Sequence, residues 1–497
     1  MATKTTAKKA PPEPAFTKAQ LLRAKKYENR RDLITALLQD EEQYTLTQVD
    51  KMIQTFMKGK VMYMLGGGYF TAQNKILPGA YINFISKATA ETYDLDRGVA
   101  AFAMELDWGP EKTVQKIEVA DFIENSTLLF GYPYEDEKLK GLRDLFANIK
   151  TLYTYRLNSG GVAAKNTYAT AKYPGTAGNK IKIAILADTE EPTSYQVQTI
   201  YDTQLVDDQT VTSMEELVDN DYVTWIKTAS LAATASTPLT SGTNGSVTGE
   251  EHQGFLDAME KYNFHAMGTT STEETVKKLY DAYQRRMREE VGKKFQTVLY
   301  NYAADYEGVV NVKNKTTDTD WPASSAVYYT TGLIAGCAVG ASNTNQVYNG
   351  EFTIDVNLTQ KELETAIQNG EFTYHNVGDE LRILTDLNSL VNTTKEKGDV
   401  FKRNETIRTI DEIATYTANL FNTKYLGKIR NDASGRVSLQ TDLSLFHQEL
   451  QRIGAITNFD PSAIEVLAGK EKTDVVVNET IEILGMMEKL YMTCIVG

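Results

Sequence analysis

The sequence predicts an α+β multidomain protein, and three observations carry that reading. At 497 residues the chain exceeds what one ordinary core can bury, so several packed domains are expected. Residues 158–237 have an all-β texture of short alternating runs broken by turn residues. Residues 376–497 carry two amphipathic helical patterns and close on strands.

Bulk chemistry narrows the function classes. A net charge of −14 opposes non-specific binding to nucleic acid or to an acidic membrane surface. Two cysteines, Cys337 and Cys494, cannot build a disulfide framework, which fits folding in a reducing cytosol. The N-terminus opens on Lys, Thr, Ala and Pro without an apolar core, unlike a signal peptide. No run approaches the ~18 apolar residues of a membrane-spanning helix, so no membrane insertion is expected.

Residues 1–14 read as a disordered tail, and two helices follow. Thr17 and Gln20 form a capping box, with Phe16 and Leu21 placed as a hydrophobic staple. Thr47 is expected to cap a second helix carrying Val49, Met52, Ile53, Phe56 and Met57 as one stripe. Residues 1–63 thus predict a tail plus a helical hairpin. From Gly66-Gly67-Gly68 the chain turns extended, and 64–90 read as an arm.

Residues 91–157 suggest strands, then a helix near 136–148 and a strand over 151–157. Within the β-rich stretch, 180–186 alternate and a short helix is expected near 213–218. The Thr/Ser/Gly-rich stretch 234–248 reads as a linker or long loop. Strand and helix order resumes over 238–375. A long helix opens at Ser271-Thr272-Glu273-Glu274, strands are expected over 295–302 and 309–312, and 326–341 read as a buried helix. In the last segment Ile407, Ile410, Ile413, Ala414, Leu420 and Phe421 mark one helix, and Leu443, Phe446, Leu450 and Ile453 another. Strands are expected over 474–483 and 488–496. In the second, Leu490, Met492, Cys494 and Val496 share one face, and Lys489, Tyr491, Thr493 and Ile495 the other. Both faces are apolar or β-forming, so this strand expects neighbours on both sides.

Catalytic patterns are missing. His252, His265, His375 and His447 have no second His or Cys at metal-ligand spacing. The Gly-Lys pairs at Gly59, Gly292, Gly427 and Gly469 lack the rest of a phosphate loop, and no nucleophile elbow occurs. Cys337 reads as a small core residue inside the helix over 326–341. The expectation is a protein that is not an enzyme and takes no cofactor.

Several strings carry a resemblance. Gln73-Asn74-Lys75-Ile76-Leu77-Pro78-Gly79-Ala80-Tyr81-Ile82-Asn83-Phe84 and Met486-Met487-Glu488-Lys489-Leu490-Tyr491-Met492-Thr493 resemble the N-terminal arm and C-terminal strand of contractile tail sheath proteins, best matched in phages of Gram-positive hosts. Arg403-Asn404-Glu405-Thr406-Ile407-Arg408-Thr409-Ile410-Asp411 and Tyr425-Leu426-Gly427-Lys428-Ile429-Arg430-Asn431 are similar to the core of the sheath C-terminal domain. Tyr173-Pro174-Gly175-Thr176-Ala177-Gly178-Asn179 resembles the entry to an inserted β-sandwich.

The resemblance covers about 64–497. It implies a subtilisin-like α/β middle domain (91–157 and 238–375) interrupted by a β-sandwich (158–237), and an α+β polymerisation domain (376–497). It implies strand donation between subunits by Ile76, Leu77, Pro78, Gly79, Ala80, Tyr81, Ile82, Asn83 and Phe84, and by Lys489, Leu490, Tyr491, Met492, Thr493, Cys494, Ile495 and Val496. The implied partners are other copies of the chain, a tail tube protein, and baseplate and tail terminator proteins. The implied place is a virion tail, or a released bacteriocin or injection particle, assembled in the host cytoplasm. Residues 1–63 depart from this pattern and look like an added module. Two rival classes are a β-rich surface adhesion protein, opposed by the missing signal peptide and anchor, and an α/β hydrolase, for which no nucleophile–base pair can be named.

Overall fold

The structure of the protein, a computed structural model, describes residues 14–40, 42–58, 95–188, 191 and 193–496. The chain divides into two units, Met1–Thr92 and Tyr93–Gly497.

In the first unit, β1 (Ala15–Thr17) pairs antiparallel with β2 (Gln43–Thr45). Thr17 caps α1 (Lys18–Arg23) through the expected capping box with Gln20. Two further α-helices, α2 (Arg31–Leu37) and α3 (Leu46–Lys58), follow among the described residues, where the sequence suggests a two-helix hairpin. Thr45, not Thr47, caps α3: its hydroxyl accepts from Gln48 N–H, and Gln48 Oε1 accepts from Thr45 N–H. Pairing in β2 already holds Thr45 extended, which is the backbone shape an N-cap needs. Leu21, Tyr27, Ile34, Leu38, Tyr44, Val49 and Ile53 close a core inside this unit, with Phe16 packed against it.

The second unit opens with β3 (Val99–Met104), β4 (Val114–Glu118), α4 (Val119–Phe130), α5 (Lys140–Phe146) and β5 (Thr151–Arg156). The sequence reading lacks α4. Its buried stripe is only Phe122, Ser126 and Phe130, and it kinks at Asn125, where poor helix formers cluster.

Next come β6 (Ala169–Ala171), β7 (Ile181–Ala187), β8 (Tyr195–Tyr201), β9 (Gln204–Val211), β10 (Val223–Trp225) and β11 (Thr234–Pro238). A four-stranded sheet in the order β11-β7-β8-β9 and a β6–β10 pair enclose one core with Ile183, Val197, Val223 and Leu239. Two expectations change here. Residues 213–218 form a turn, because so short a window cannot nucleate a helix while Met214 and Leu217 sink into this core. Residues 234–238 form β11 against β7, since Thr and Ser there gain a ladder partner. At the entry, Gly175 has φ +133° and a Cβ there would lie 2.0 Å from the Asp107 carbonyl oxygen, so only glycine fits.

The chain continues through α6 (Gly249–Met259), β12 (Ala266–Gly268), α7 (Glu274–Arg286), β13 (Gln296–Tyr300) and β14 (Val309–Val312). Then follow α8 (Ala326–Gly336), α9 (Gln360–Gln368), β15 (Glu371–Phe372), β16 (Tyr374–Val377) and β17 (Glu380–Ile383). A seven-stranded sheet forms in the order β15-β14-β13-β12-β3-β5-β4. All its pairings are parallel except β4 with β5. Alternation along β3 sets the layers: Ala100, Phe102 and Met104 join the core under α5 and α8, while Ala101 and Ala103 join the core under α6 and α7.

Helix α8 is buried nearly all round, as expected. Its packing is close enough that a Cβ on Gly336 would sit 1.8 Å from the Asn148 carbonyl oxygen. Cys337 lies just past its end and is half-buried, not inside the helix.

The chain ends in α10 (Asn404–Leu420), α11 (Ala433–Arg452), β18 (Ile456–Thr457), β19 (Ile464–Ala468), β20 (Val475–Glu479) and β21 (Glu482–Ile483). The strand expected over 474–483 is interrupted at 480–481, because β20 pairs with β19 and β21 with β18. The strand expected over 488–496 does not form in the single chain. A strand needs a hydrogen-bonding neighbour, and among the described residues these have none.

Candidate intersubunit interface

The last backbone contact of the C-terminal tail is Leu484 N–H to the Ala455 carbonyl at 3.2 Å, directly after β21. Past Glu488 the large apolar side chains of the tail are exposed. Leu490 and Tyr491 are each 88% exposed, and Met492, Ile495 and Val496 are exposed to a similar degree. Lys489, Thr493 and Cys494 are exposed between them, and Cys494 is a free thiol. Burying one such large apolar side chain is worth about 1.5–3 kcal/mol, so this segment stores association free energy. The other expected donor, Ile76 to Phe84, lies outside the described residues.

One groove in the same domain has complementary chemistry. It runs between α10 and β20, holds about 540 Å3, and is lined by Ile410, Ile413, Ala414, Thr417, Ala418, Phe421, Leu439, Val475, Val477 and Ile481, with Glu479 at its rim. Among the described residues β20 pairs on one side only, with β19, so its other edge keeps free backbone donors and acceptors. The sequence reading did not single out this groove. Thr417 and Ala418, small residues that extend the Ala414 face of α10, were the available signal, since they leave room for a partner. The tail's root is polar: Glu488 accepts from Thr344 Oγ1 at 3.0 Å and pairs with Arg403 at 2.5 Å.

A larger cleft of about 1220 Å3 lies past the C-terminal ends of β3 and β12, with Asp107, Asn158, His252, Thr269 and Trp321 among its walls. Open α/β sheets place ligands at this switch point in strand order. Here the polar groups have structural partners. His252 Nδ1 lies 3.2 Å from the Tyr280 hydroxyl, and burial pushes the imidazole down to about 4. Asp107 accepts from Tyr132 and, at 2.6 Å, from Asn244 Nδ2. Asn158 bonds both the amide and the carbonyl of Leu106. Among the described residues no three His, Cys, Asp or Glu side chains are grouped to hold a metal. No described helix is long and apolar enough to cross a membrane.

Comparison with known proteins agrees with this architecture. Residues 158–244 match the phage tail sheath protein beta-sandwich domain, 245–389 the phage tail sheath protein central domain, and 396–497 the phage tail sheath C-terminal domain. The phage-like element PBSX protein XkdK of Bacillus subtilis (strain 168) is 29% identical, across 86% of this chain and 99% of its own length. The crystal structure of a sheath tail protein from Desulfitobacterium hafniense is 32% identical with a TM-score of 0.73, covering 83% of this chain and 99% of that one. That of the sheath tail protein Lin1278 from Listeria innocua is 30% identical with a TM-score of 0.70, covering 80% and 94%. The chain, a mixed α/β multidomain protein, belongs to the phage tail sheath protein family.

Proposed function

We propose that this sheath protein polymerises into a helix around a tail tube by lending its ends to neighbouring copies, and that the polymer shortens to drive the tube through a target envelope. The observation that carries this reading is the tail over 489–496, an extended apolar segment with no contact to its own body that is described, in a domain that also offers an apolar groove beside an open strand edge. A strand entering that groove would gain main-chain hydrogen bonds from β20 and bury one of its faces against α10, which is β-augmentation. Because donor and acceptor are different surfaces, the contact is heterologous and builds an open helix instead of closing. Residues 76–84 would be the second donated segment.

In this reading 64–90 serve as the arm, 91–157 with 238–375 as a subtilisin-like middle domain, 158–237 as the inserted sandwich, and 376–497 as the polymerisation domain. The extended polymer is a kinetically trapped state that relaxes when a baseplate releases it, with new subunit interfaces as the only drive. The role requires no catalysis and no cofactor, and its partners are the tube, the baseplate, a tail terminator and further copies of the chain. Assembly takes place in the host cytoplasm before the particle is released.

Electron microscopy of the purified full chain beside a variant lacking 488–497 tests the reading. Tubes of stacked rings are expected from the full chain and soluble, folded subunits from the variant. Normal tubes from the variant would contradict it.

A further inference from the structure

The tail stays attached beyond the end of its last strand. After Leu484 no described backbone ladder holds the chain, and side chains take over. Met486 N–H donates to Glu405 Oε1 at 3.3 Å. Glu488 Oε1 accepts from Thr344 Oγ1 at 3.0 Å and from Arg403 Nη1 at 2.5 Å. The Glu488 side chain is only 18% exposed, whereas its neighbour Met487 is fully in solvent. We infer that Glu488, held by Arg403 and Thr344, together with Glu405 forms a clamp that fixes where and in which direction the tail leaves its subunit. This inference rests on the strand-donation reading above and makes these four residues positioning residues for it.

The clamp is tied to a buried polar network around Asp386. The Thr344 hydroxyl that donates to Glu488 also accepts from Asp386 N–H at 3.0 Å, so its orientation is set from the other side. Arg403 immediately precedes α10, and Glu405 lies in that helix's first turn. Asn404 between them donates to Asp386 Oδ1 at 2.8 Å and accepts from Gln296 Nε2 at 2.8 Å. The tail's departure point is therefore referenced through Asp386 and Asn404 to Gln296 of β13, as well as to α10.

The chemistry suits a root more than an adhesive segment. The clamp uses carboxylates, a guanidinium and a hydroxyl, and leaves the apolar faces and backbone edges of 489–496 free for a partner. It also shortens the tether. The free segment would begin at 489 instead of 485, so a smaller volume is searched and less chain entropy is lost on docking. Under load, tension on a donated tail would pass into α10 and Asp386 and not into the two-residue strand β21.

Three variants of the full chain test this: Glu488→Ala, the charge swap Arg403→Glu with Glu488→Arg, and a chain lacking 489–497. Trypsin cleavage after Lys489, read by mass spectrometry, reports the clamp in the soluble subunit, and light scattering reports assembly. Glu488→Ala is expected to speed that cleavage and slow assembly by roughly three- to tenfold each, the range for losing charge-assisted surface contacts, with an unchanged melting temperature. The charge swap adds a trypsin site at 488, so it is read by light scattering alone and is expected to restore assembly, and Glu488→Gln serves as a milder second variant if Glu488→Ala melts early. Unchanged cleavage and assembly in Glu488→Ala would overturn the clamp while donation stands. Normal assembly without 489–497 would overturn donation, and the positioning role with it.

Discussion

The guanidinium of Arg408 and the carboxylate of Asp386 meet at 2.6 Å, each side chain 1% exposed to solvent. Asp386 also accepts from Asn343 N–H at 3.0 Å and Asn404 Nδ2 at 2.8 Å. One turn further along α10, Asp411 forms a second buried pair with Arg288 at 2.7 Å. Burial alone would push the Asp386 carboxyl up, but Arg408 and these donors outweigh it and hold the group below the ordinary carboxylate range. Removing one partner strands a buried charge, so Asp386→Ala is expected to cost about 3–5 kcal/mol in urea denaturation. Asp386→Leu with Arg408→Met should cost much less. Because the folded group titrates below the unfolded one, its contribution is present above about pH 4 and is lost as pH falls through the folded value.

The close approach of α8 to the residues after α5 gives a second expectation. A methyl at Gly336 would overlap the Asn148 carbonyl, which is backbone and cannot swing away. Gly336→Ala should therefore lower stability by roughly 1–3 kcal/mol despite the better helix propensity of alanine. Thermal denaturation checks the sign.

Buried His252 and half-buried His265 contribute to the acid response. Burial pushes His252 down to about 4 and His265 down to about 3, and His265 Nδ1 accepts from Val99 N–H at 3.2 Å. Unfolded histidines take up protons near 6.5, so from there down to about 4 the unfolded chain binds more protons and stability falls with acidification. Asp144, pushed up to about 6 by burial, works oppositely below that pH, since its folded form takes a proton first. His252→Gln should make the loss between pH 6 and 4.5 shallower by about 1.4 kcal/mol per pH unit. Melting curves at stepped pH measure it.

The groove can be closed without touching the core. Ala418 is exposed at its rim, and Ala418→Arg places a charge where a donated strand would lie. The subunit should keep its stability within about 0.5 kcal/mol and lose assembly, as should Leu490→Asp on the donor side. Sedimentation velocity distinguishes monomer from polymer. Large assemblies from either variant would count against this groove as the acceptor.

Much of this architecture was legible in local chemistry. The Thr17–Gln20 capping box, the buried Ala/Gly-rich helix and the amphipathic α10 each follow from short-range patterns, and the β-texture before residue 237 marks the sandwich strands. Within the string from Arg403 to Asp411, Asn404, Arg408 and Asp411 each make a buried polar bond. What stayed hidden depends on distant partners. Helix α4 is read only with the sheet beneath it, and β11 is a strand only because β7 offers an edge. The Glu488–Arg403 contact joins residues 85 positions apart, with no periodic signal between them. The expected strand over 488–496 has the right composition but lacks a neighbour within one chain.

A cryo-electron microscopy map of the assembled sheath, with the chain traced from Glu482 to Val496, tests the central claim most directly. Residues 489–496 are expected as a strand hydrogen-bonded to β20 of a different copy, with Tyr491 or its neighbours packed on α10. A tail that folds back onto its own protomer, or that remains free of every neighbour in the polymer, would contradict the account.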